Sequence, residues 1–419
     1  MGRFLTRGHP AATAAVGAMV AGHAPHALLL AGPPGVGKTT LALDLAAGLL
    51  CTAPDPSDRP CRDCRGCRLV DHGRHSDLHR LAPSGPGQQV RIGDRASPEP
   101  GTVRRLISDL ALLPVEGGAR VAIVERADRL NEDAQSALLK TLEEPPSGVT
   151  IVLCADRDDL LLPTVRSRCV RVRLGPVAIR EIESLLEDAG AADASRAGRL
   201  ARLAAGRPGA ALTLAMAPDA VAARDEIART LLDLTGARAA RRLGVGRELL
   251  GRAAELVAAL DRVGEVRLGA GDDAAPERKG RGRRGAAKAA AAAADAVAAA
   301  AAADPSVAEP GDDDDADTET AEAGAVRAPA TERRRAASTL VEIWRDVARD
   351  LLLVGLGEER RLRDPSLLDD LRATAIEPDD GRGFIARLAR SAELLEANVS
   401  PELAIDALLL AWPGRAVAA

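Results

Sequence analysis

Tyrosine is absent from this sequence, and the other aromatics are nearly so: Phe4, Phe384, Trp344 and Trp412 are all it has. Cores must therefore be built from Leu, Val, Ile and Ala, and no aromatic platform for stacking nucleic-acid bases is visible. A surplus of either charge is missing too. Lys and Arg number 56 against 61 Asp and Glu, a net charge of −5, so no overall basic field draws the chain to nucleic acid. No uninterrupted apolar run has membrane-spanning length, because the Ala-rich stretch at 286–303 is broken by Lys288 and Asp295. The opening MGRFLTRGHPAATAAVG lacks the Leu-rich core of a signal peptide. These absences predict a cytoplasmic protein with no membrane contact. Its 419 residues suffice for two or three domains.

Residues 26–175 alternate apolar runs of strand length with amphipathic stretches. HALLLAG, RVAIVE and GVTIVLCAD are the runs, and the alternation predicts an α/β fold with a parallel, doubly wound sheet. From 176 the spacing becomes helical, in PVAIREIESLLEDAG and ASRAGRLARLAAG, and it is helical again over 220–265 and 335–412. Between these last two lies a charge-segregated segment, about 266–334. Arg278, Lys279, Arg281, Arg283, Arg284 and Lys288 precede an Ala run, and Asp312 to Asp315, Asp317, Glu319 and Glu322 follow it. Such a composition buries no core and predicts disorder with transient Ala helix. Its basic half is a DNA-contact candidate or simply a solvated linker attracted to the acidic half.

GPPGVGKTT, residues 32–40, fits the phosphate-loop pattern G-x-x-x-x-G-K-[ST] through Gly32, Gly37, Lys38 and Thr39. It follows a strand-like run and opens a helical one, as a phosphate cradle requires. Gly32, Pro33, Pro34, Gly35, Val36 and Gly37 would turn backbone N–H groups toward phosphate oxygens. Lys38 would charge the outer phosphates, Thr39 would hold Mg²⁺, and Thr40 would continue the helix whose N-terminus favours anions. ATP or ADP with Mg²⁺ is the expected ligand. Glu125 ends the apolar run Val121–Val124 and would assist the metal. The next residue, where a hydrolase needs a proton-accepting carboxylate, is Arg126, and a guanidinium stays protonated. Asp128 is expected to face elsewhere. The strand itself is expected in the central sheet, beside the phosphate-loop strand.

Cys51, Cys61, Cys64 and Cys67 follow in C-x9-C-x2-C-x2-C spacing. Close cytosolic thiols read as a metal site, and four thiolates suit a closed, structural, tetrahedral Zn²⁺. An iron–sulfur cluster is the competing reading, and His72, His75 and His79 are nearby substitutes as ligands. Arg62, Arg65 and Arg68 suggest a solvated knob. Cys154 reads as a core thiol. Farther on, Asn131 is a helix N-cap, Pro145 a stop, and Ala134, Leu138 and Leu142 share one helix face. Ser167-Arg168-Cys169 places an arginine after a helical turn, where it is either an ordinary surface group or able to reach a neighbour's phosphate.

HALLLAGPPGVGKTTLA, the four-cysteine insert directly after it, NEDAQSALLKTLEEPP and LLPTVRSRC together resemble the bacterial clamp loader subunits of the AAA+ class. The resemblance covers residues 10–215 and, more loosely, VSPELAIDALLLAWPG near the end. It implies an AAA+ core at 1–175 with a zinc module at 51–67, a helical lid at 176–217, and an all-α collar at 218–419 interrupted by the charged insert. It implies a hetero-pentamer with gamma/tau and delta subunits that places a sliding clamp on primed DNA for DNA polymerase III. Three departures from the motor subunits point to the delta-prime kind. Arg126 stands at the base position, Gly209 stands where the lid arginine belongs in GRPGAAL, and CAD (Cys154 to Asp156) replaces a Thr-Thr pair. On that reading Arg168 is an arginine finger acting on ATP held by the next subunit, and this chain has little or no ATPase activity of its own. An active motor of the same ring would need a carboxylate base. A stand-alone P-loop enzyme would need an acceptor site.

Overall fold

The computed structural model describes residues 2–83, 89–94, 99–116, 118–269, 329–374, 376–397 and 399–414. The basic run at 278–288 and the acidic run at 312–322 lie outside the described residues. On their two sides, helical backbone reaches Gly269 and resumes at Ala330, so helix runs a few residues into the expected insert from each end.

Runs that are apolar at nearly every position, Arg120 and Thr150 being the exceptions, become strands buried on both faces, as in parallel sheets. β1 (Ala27–Ala31), β3 (Arg120–Val124) and β4 (Val149–Ala155) are buried throughout. With β2 (Leu78–Leu81) and β5 (Val170–Arg173) they form one parallel sheet in the order β2-β3-β4-β1-β5. Successive side chains alternate faces. Leu28, Leu30, Val121, Ile123 and Val152 pack on one side with α1 (Pro10–Ala21) and α2 (Lys38–Leu49). Leu29, Ala122, Val124, Ile151 and Leu153 pack on the other with α4 (Val103–Leu110) and α5 (Glu132–Glu143).

The order corrects one expectation. β3 is not beside the phosphate-loop strand, because β4 lies between them and pairs with both, Leu153 opposite Leu29 on one side and Val124 on the other. β4 is the longest strand and wholly apolar but for Thr150, so it takes the centre, where both edges are covered. The end of β4 therefore meets the phosphate loop, and Gly32 donates its N–H to the Ala155 carbonyl at 3.2 Å.

A second correction concerns Arg62. It is no part of a solvated knob: its side chain is 10% exposed and forms ion pairs with Asp44 of α2 and with Asp71 of α3 (Arg65–Asp71). Asp44, with no exposed surface, also accepts from Leu5 N–H (3.0 Å), Thr6 N–H (2.9 Å) and the Thr6 hydroxyl (2.6 Å). One buried carboxylate thus ties the N-terminal segment and the cysteine insert to the phosphate-loop helix.

Past the sheet, α7 (Ile179–Asp188), α8 (Ala194–Leu203) and α9 (Pro208–Met216) share a small apolar cluster. The largest cluster gathers α10 (Pro218–Asp233), α11 (Ala239–Gly269), α12 (Ala330–Gly355), α13 (Leu368–Arg372), α14 (Pro378–Glu396) and α15 (Pro401–Ala411). Three of the four aromatics sit together there. Trp344, Phe384 and Trp412 have ring centroids 4.6–5.4 Å apart, in tilted and edge-on arrangements. Trp412 also donates its indole N–H to the Leu231 carbonyl at 2.9 Å. Arg199 of α8 joins the two clusters through Asp364 (3.0 Å) and Asp225 (2.5 Å). Burial raises the Asp364 carboxyl, but hydrogen bonds from Arg199 and Ser366 outweigh it and hold the group below its ordinary range. Among the described residues, no helix is long and apolar enough to cross a membrane.

Truncating Trp344, which has no exposed surface, should cost about 3–5 kcal/mol. Both tryptophans lie in that one cluster and there is no Tyr, so indole emission during urea unfolding reports this cluster alone. Trp344→Ala should lower the midpoint read by far-UV circular dichroism, with Trp412 emission following the same shift.

Candidate nucleotide site and cysteine centre

The phosphate loop needs glycine at both its ends. Gly37 caps α2 in the left-handed region (φ 104°), and a Cβ on Gly32 would fall 2.0 Å from the Leu174 carbonyl oxygen. Pro34, Gly35, Val36, Gly37, Lys38, Thr39 and Thr40 border a cleft of about 570 Å³, within the range of small-molecule sites. Leu5, Thr6 and Arg7 of the N-terminal segment close one side, and Leu185, Pro208, Gly209 and Leu212 close another. Gly32 and Pro33 do not border it. Their carbonyls accept from Lys38 Nζ at 2.7 and 2.6 Å.

Lys38 is 6% exposed, and a buried ammonium needs a counter-anion. Asp156 supplies it, with Oδ1 2.7 Å from Nζ. The other oxygen of the same carboxylate, Oδ2, is 2.8 Å from Arg126 Nε. Arg126 is left-handed (φ 53°) and borders the cleft, with Asp128 Oδ2 3.7 Å away. Asp128 itself is buried and accepts from Asp156 N–H at 2.9 Å, so it fixes the backbone at the end of β4. Glu125 also borders the cleft, with Oε1 held by Arg80 of β2 at 2.6 and 3.0 Å. Burial pushes the Cys154 thiol up to about 12, so this cleft residue is an uncharged thiol at neutral pH.

Sequence reading placed Lys38, Glu125 and Arg126 together, and the fold brings them to one cleft. It missed Asp156 as the partner of two cations and Arg80 as the partner of Glu125. The first was visible only as CAD where a Thr-Thr pair was expected; the second depends on strand β2, whose four residues LHRL carry no periodic signal. Arg168 is not in this cleft. It follows α6 (Pro163–Arg166), is one-third exposed, donates to the Thr164 carbonyl at 2.8 Å and pairs with Glu143.

Cys51, Cys61, Cys64 and Cys67 converge so that their sulfurs all lie within 4.8 Å of one another. The Cys51 sulfur is 3.5 Å from that of Cys61 and 3.8 Å from that of Cys64. Zn–S bonds of about 2.3 Å in a tetrahedron give S···S edges of about 3.8 Å, so the spacing fits a single zinc ion. A multi-iron cluster holds its thiolates farther apart. Burial raises Cys64, but hydrogen bonds led by the Cys67 and Thr52 N–H groups outweigh it and bring the thiol to about 6. Cys51 and Cys67 are raised, chiefly by burial. His75 is engaged elsewhere, its Nδ1 accepting from Asp77 N–H at 3.1 Å, and among the described residues the cluster consists of the cysteines alone.

Residues 11–178 match the family model described as DNA polymerase III, delta subunit. Over these residues the chain is delta′/gamma/tau-like. It is 37% identical over 146 residues to the DNA polymerase III subunit delta′ of Pseudomonas aeruginosa, covering 35% of this chain and 42% of that protein. It is 36% identical over 194 residues to the delta′ subunit of Escherichia coli, covering 46% of this chain and 55% of that protein. The tau subunit of Escherichia coli matches as well, at 32% over 175 residues, 42% of this chain and 25% of that protein. The chain thus spans about half the length of the delta′ relatives it matches. The delta′/gamma/tau-like segment holds the phosphate loop, the four cysteines, Arg126 and Arg168.

Elemental analysis of the purified chain should find about one zinc per molecule. Cys64→Ser should lose most of it, while iron in place of zinc would overturn the assignment.

Proposed function

We propose that this chain is a non-motor, delta′-like subunit of the DNA polymerase III clamp loader, holding nucleotide without turning it over and lending Arg168 to a neighbour. One observation carries the reading: Arg126 occupies the position of the catalytic base and borders the cleft with its guanidinium on Asp156. A group that stays protonated activates no water. Three things support the delta′ assignment. The delta′ relatives match the core, Gly209 brings no charge to the cleft from the lid side, and Cys154 offers only an un-ionised thiol where a phosphate-sensing pair was expected. Arg168 is one-third exposed outside its own cleft, and a trans-acting arginine has to be presented in that way.

On this reading residues 1–175 are the nucleotide-binding core, 176–217 the lid, and 218–419 the collar that joins gamma/tau and delta subunits into a hetero-pentamer. The assembled ring would open a sliding clamp and place it on primed DNA. The zinc module, clamped to α2 through Arg62 and Asp44, is structural. Pro34 through Thr40 hold the phosphates, Gly32 and Pro33 orient Lys38 through their carbonyls, and Glu125 lies at the rim. The match to the tau relative favours the alternative of an active motor in the same ring.

ATP turnover separates the two readings. The purified chain, assayed with clamp and primed DNA, should show none that Lys38→Ala abolishes; turnover lost on that substitution would sink the non-motor reading. In a reconstituted loader, Arg168→Ala should slow hydrolysis at the neighbouring site by roughly 10³-fold or more. An unchanged rate there would remove Arg168 from any trans role.

A further inference from the structure

The phosphates of a bound triphosphate carry charge that P-loop proteins neutralise with a lysine and a magnesium ion, the metal being held by a hydroxyl and a carboxylate. The hydroxyl candidate, Thr39, borders the cleft here. The carboxylate side does not fit. Glu125 is neutralised by Arg80, which approaches its Oε1 with two nitrogens at 2.6 and 3.0 Å, and the adjacent residue is a second cation rather than a second anion. A divalent ion here would find two carboxylates bordering the cleft, Glu125 and Asp156, each already paired with one or two side-chain cations.

The same residues suit a phosphate directly. Asp156 presents the two oxygens of one carboxylate to two cations, Oδ1 to Lys38 Nζ at 2.7 Å and Oδ2 to Arg126 Nε at 2.8 Å. A phosphate group offers the same two-oxygen edge and greater charge, and a guanidinium binds phosphate through charge-assisted hydrogen bonds. The Arg126 side chain is 42% exposed and borders the cleft, while its buried Nε makes an ion pair but no hydrogen bond, so a donor is left for an incoming phosphate oxygen. Asp128, 3.7 Å from Arg126 and hydrogen-bonded to the Asp156 backbone, keeps both in place when the Asp156 side chain is displaced.

We propose that this site binds a nucleoside triphosphate without magnesium, with Arg126 and Lys38 together neutralising its outer phosphates in the place Asp156 fills in the free chain. The inference rests on the nucleotide-holding reading above and adds the ion chemistry of that site. It makes Arg126 a phosphate ligand and not merely a missing base.

Calorimetric titration of the purified chain with ATP, once in Mg²⁺ and once in EDTA, tests it. The two dissociation constants should agree within about threefold. Arg126→Gln removes the charge, and it should weaken binding about tenfold or more in EDTA while restoring a dependence on Mg²⁺. Arg80→Ala frees Glu125 and should make Mg²⁺ tighten binding. Circular dichroism confirms that each variant is folded. Wild-type affinity that falls tenfold in EDTA, or Arg126→Gln binding like wild type in EDTA, overturns the inference and leaves nucleotide holding intact. Absence of ATP binding in both buffers overturns nucleotide holding itself, and this inference with it.

Discussion

A lysine ammonium with 6% of its surface exposed is costly to bury without an anion beside it, and the geometry of this cleft follows from that constraint. Removing one partner of a buried pair costs about 3–5 kcal/mol. Lys38 is driven inward because α2 begins at its own residue and the loop before it curls back to offer the Gly32 and Pro33 carbonyls. Those carbonyls orient the ammonium but leave its charge unmatched. The match comes from Asp156, one residue beyond the end of β4.

That Asp156 can reach is a consequence of strand order. If β3 lay next to β1, Glu125 would stand nearest the loop and the end of β4 would be a strand away. With β4 inserted, Ala155 pairs with Ala31, Gly32 N–H bonds to the Ala155 carbonyl, and the next side chain meets Lys38. β3 is moved outward, and Glu125 at its end falls within reach of Arg80 on β2. A single topological fact thus places Asp156 on the lysine and an arginine on the carboxylate. The substitution at Arg126 then completes a set in which each anion at the loop has a cationic partner.

Most of the architecture was legible in the sequence because parallel strands buried on both faces leave unmistakable apolar runs. HALLLAG, RVAIVE and GVTIVLCAD announced β1, β3 and β4, and Asn131 caps α5 as its position suggested, accepting from Ala134 N–H at 2.9 Å. The four-cysteine spacing pointed to convergence, and the sulfurs do converge. Strand neighbours were not legible, since the apolar content of β3 says nothing about which edge it shares. Nor was the fate of Arg62, which spacing alone placed among exposed arginines. Its burial depends on Asp44, eighteen positions earlier and on the inward face of α2. Pairings between distant charged residues leave no local periodicity, and they decide the chemistry of this cleft.

The distribution of charge also sets two arginines apart. Arg126 lies against Asp156 at the chain's own cleft, flanked by Asp128, and its geometry is directed inward. Arg168 lies after α6, beside the edge strand β5, with the Thr164 carbonyl and Glu143 as its local partners. The Glu143 carboxylate is itself 47% exposed, so that pair is held in water and costs little to open. The Lys38–Asp156 pair, at 7% and 11% exposure, is far harder to separate without an incoming anion. The inward pair is therefore firmly held, while the outward pair opens readily. The proposed subunit, which would keep its own nucleotide and engage a neighbour's, would draw on that asymmetry.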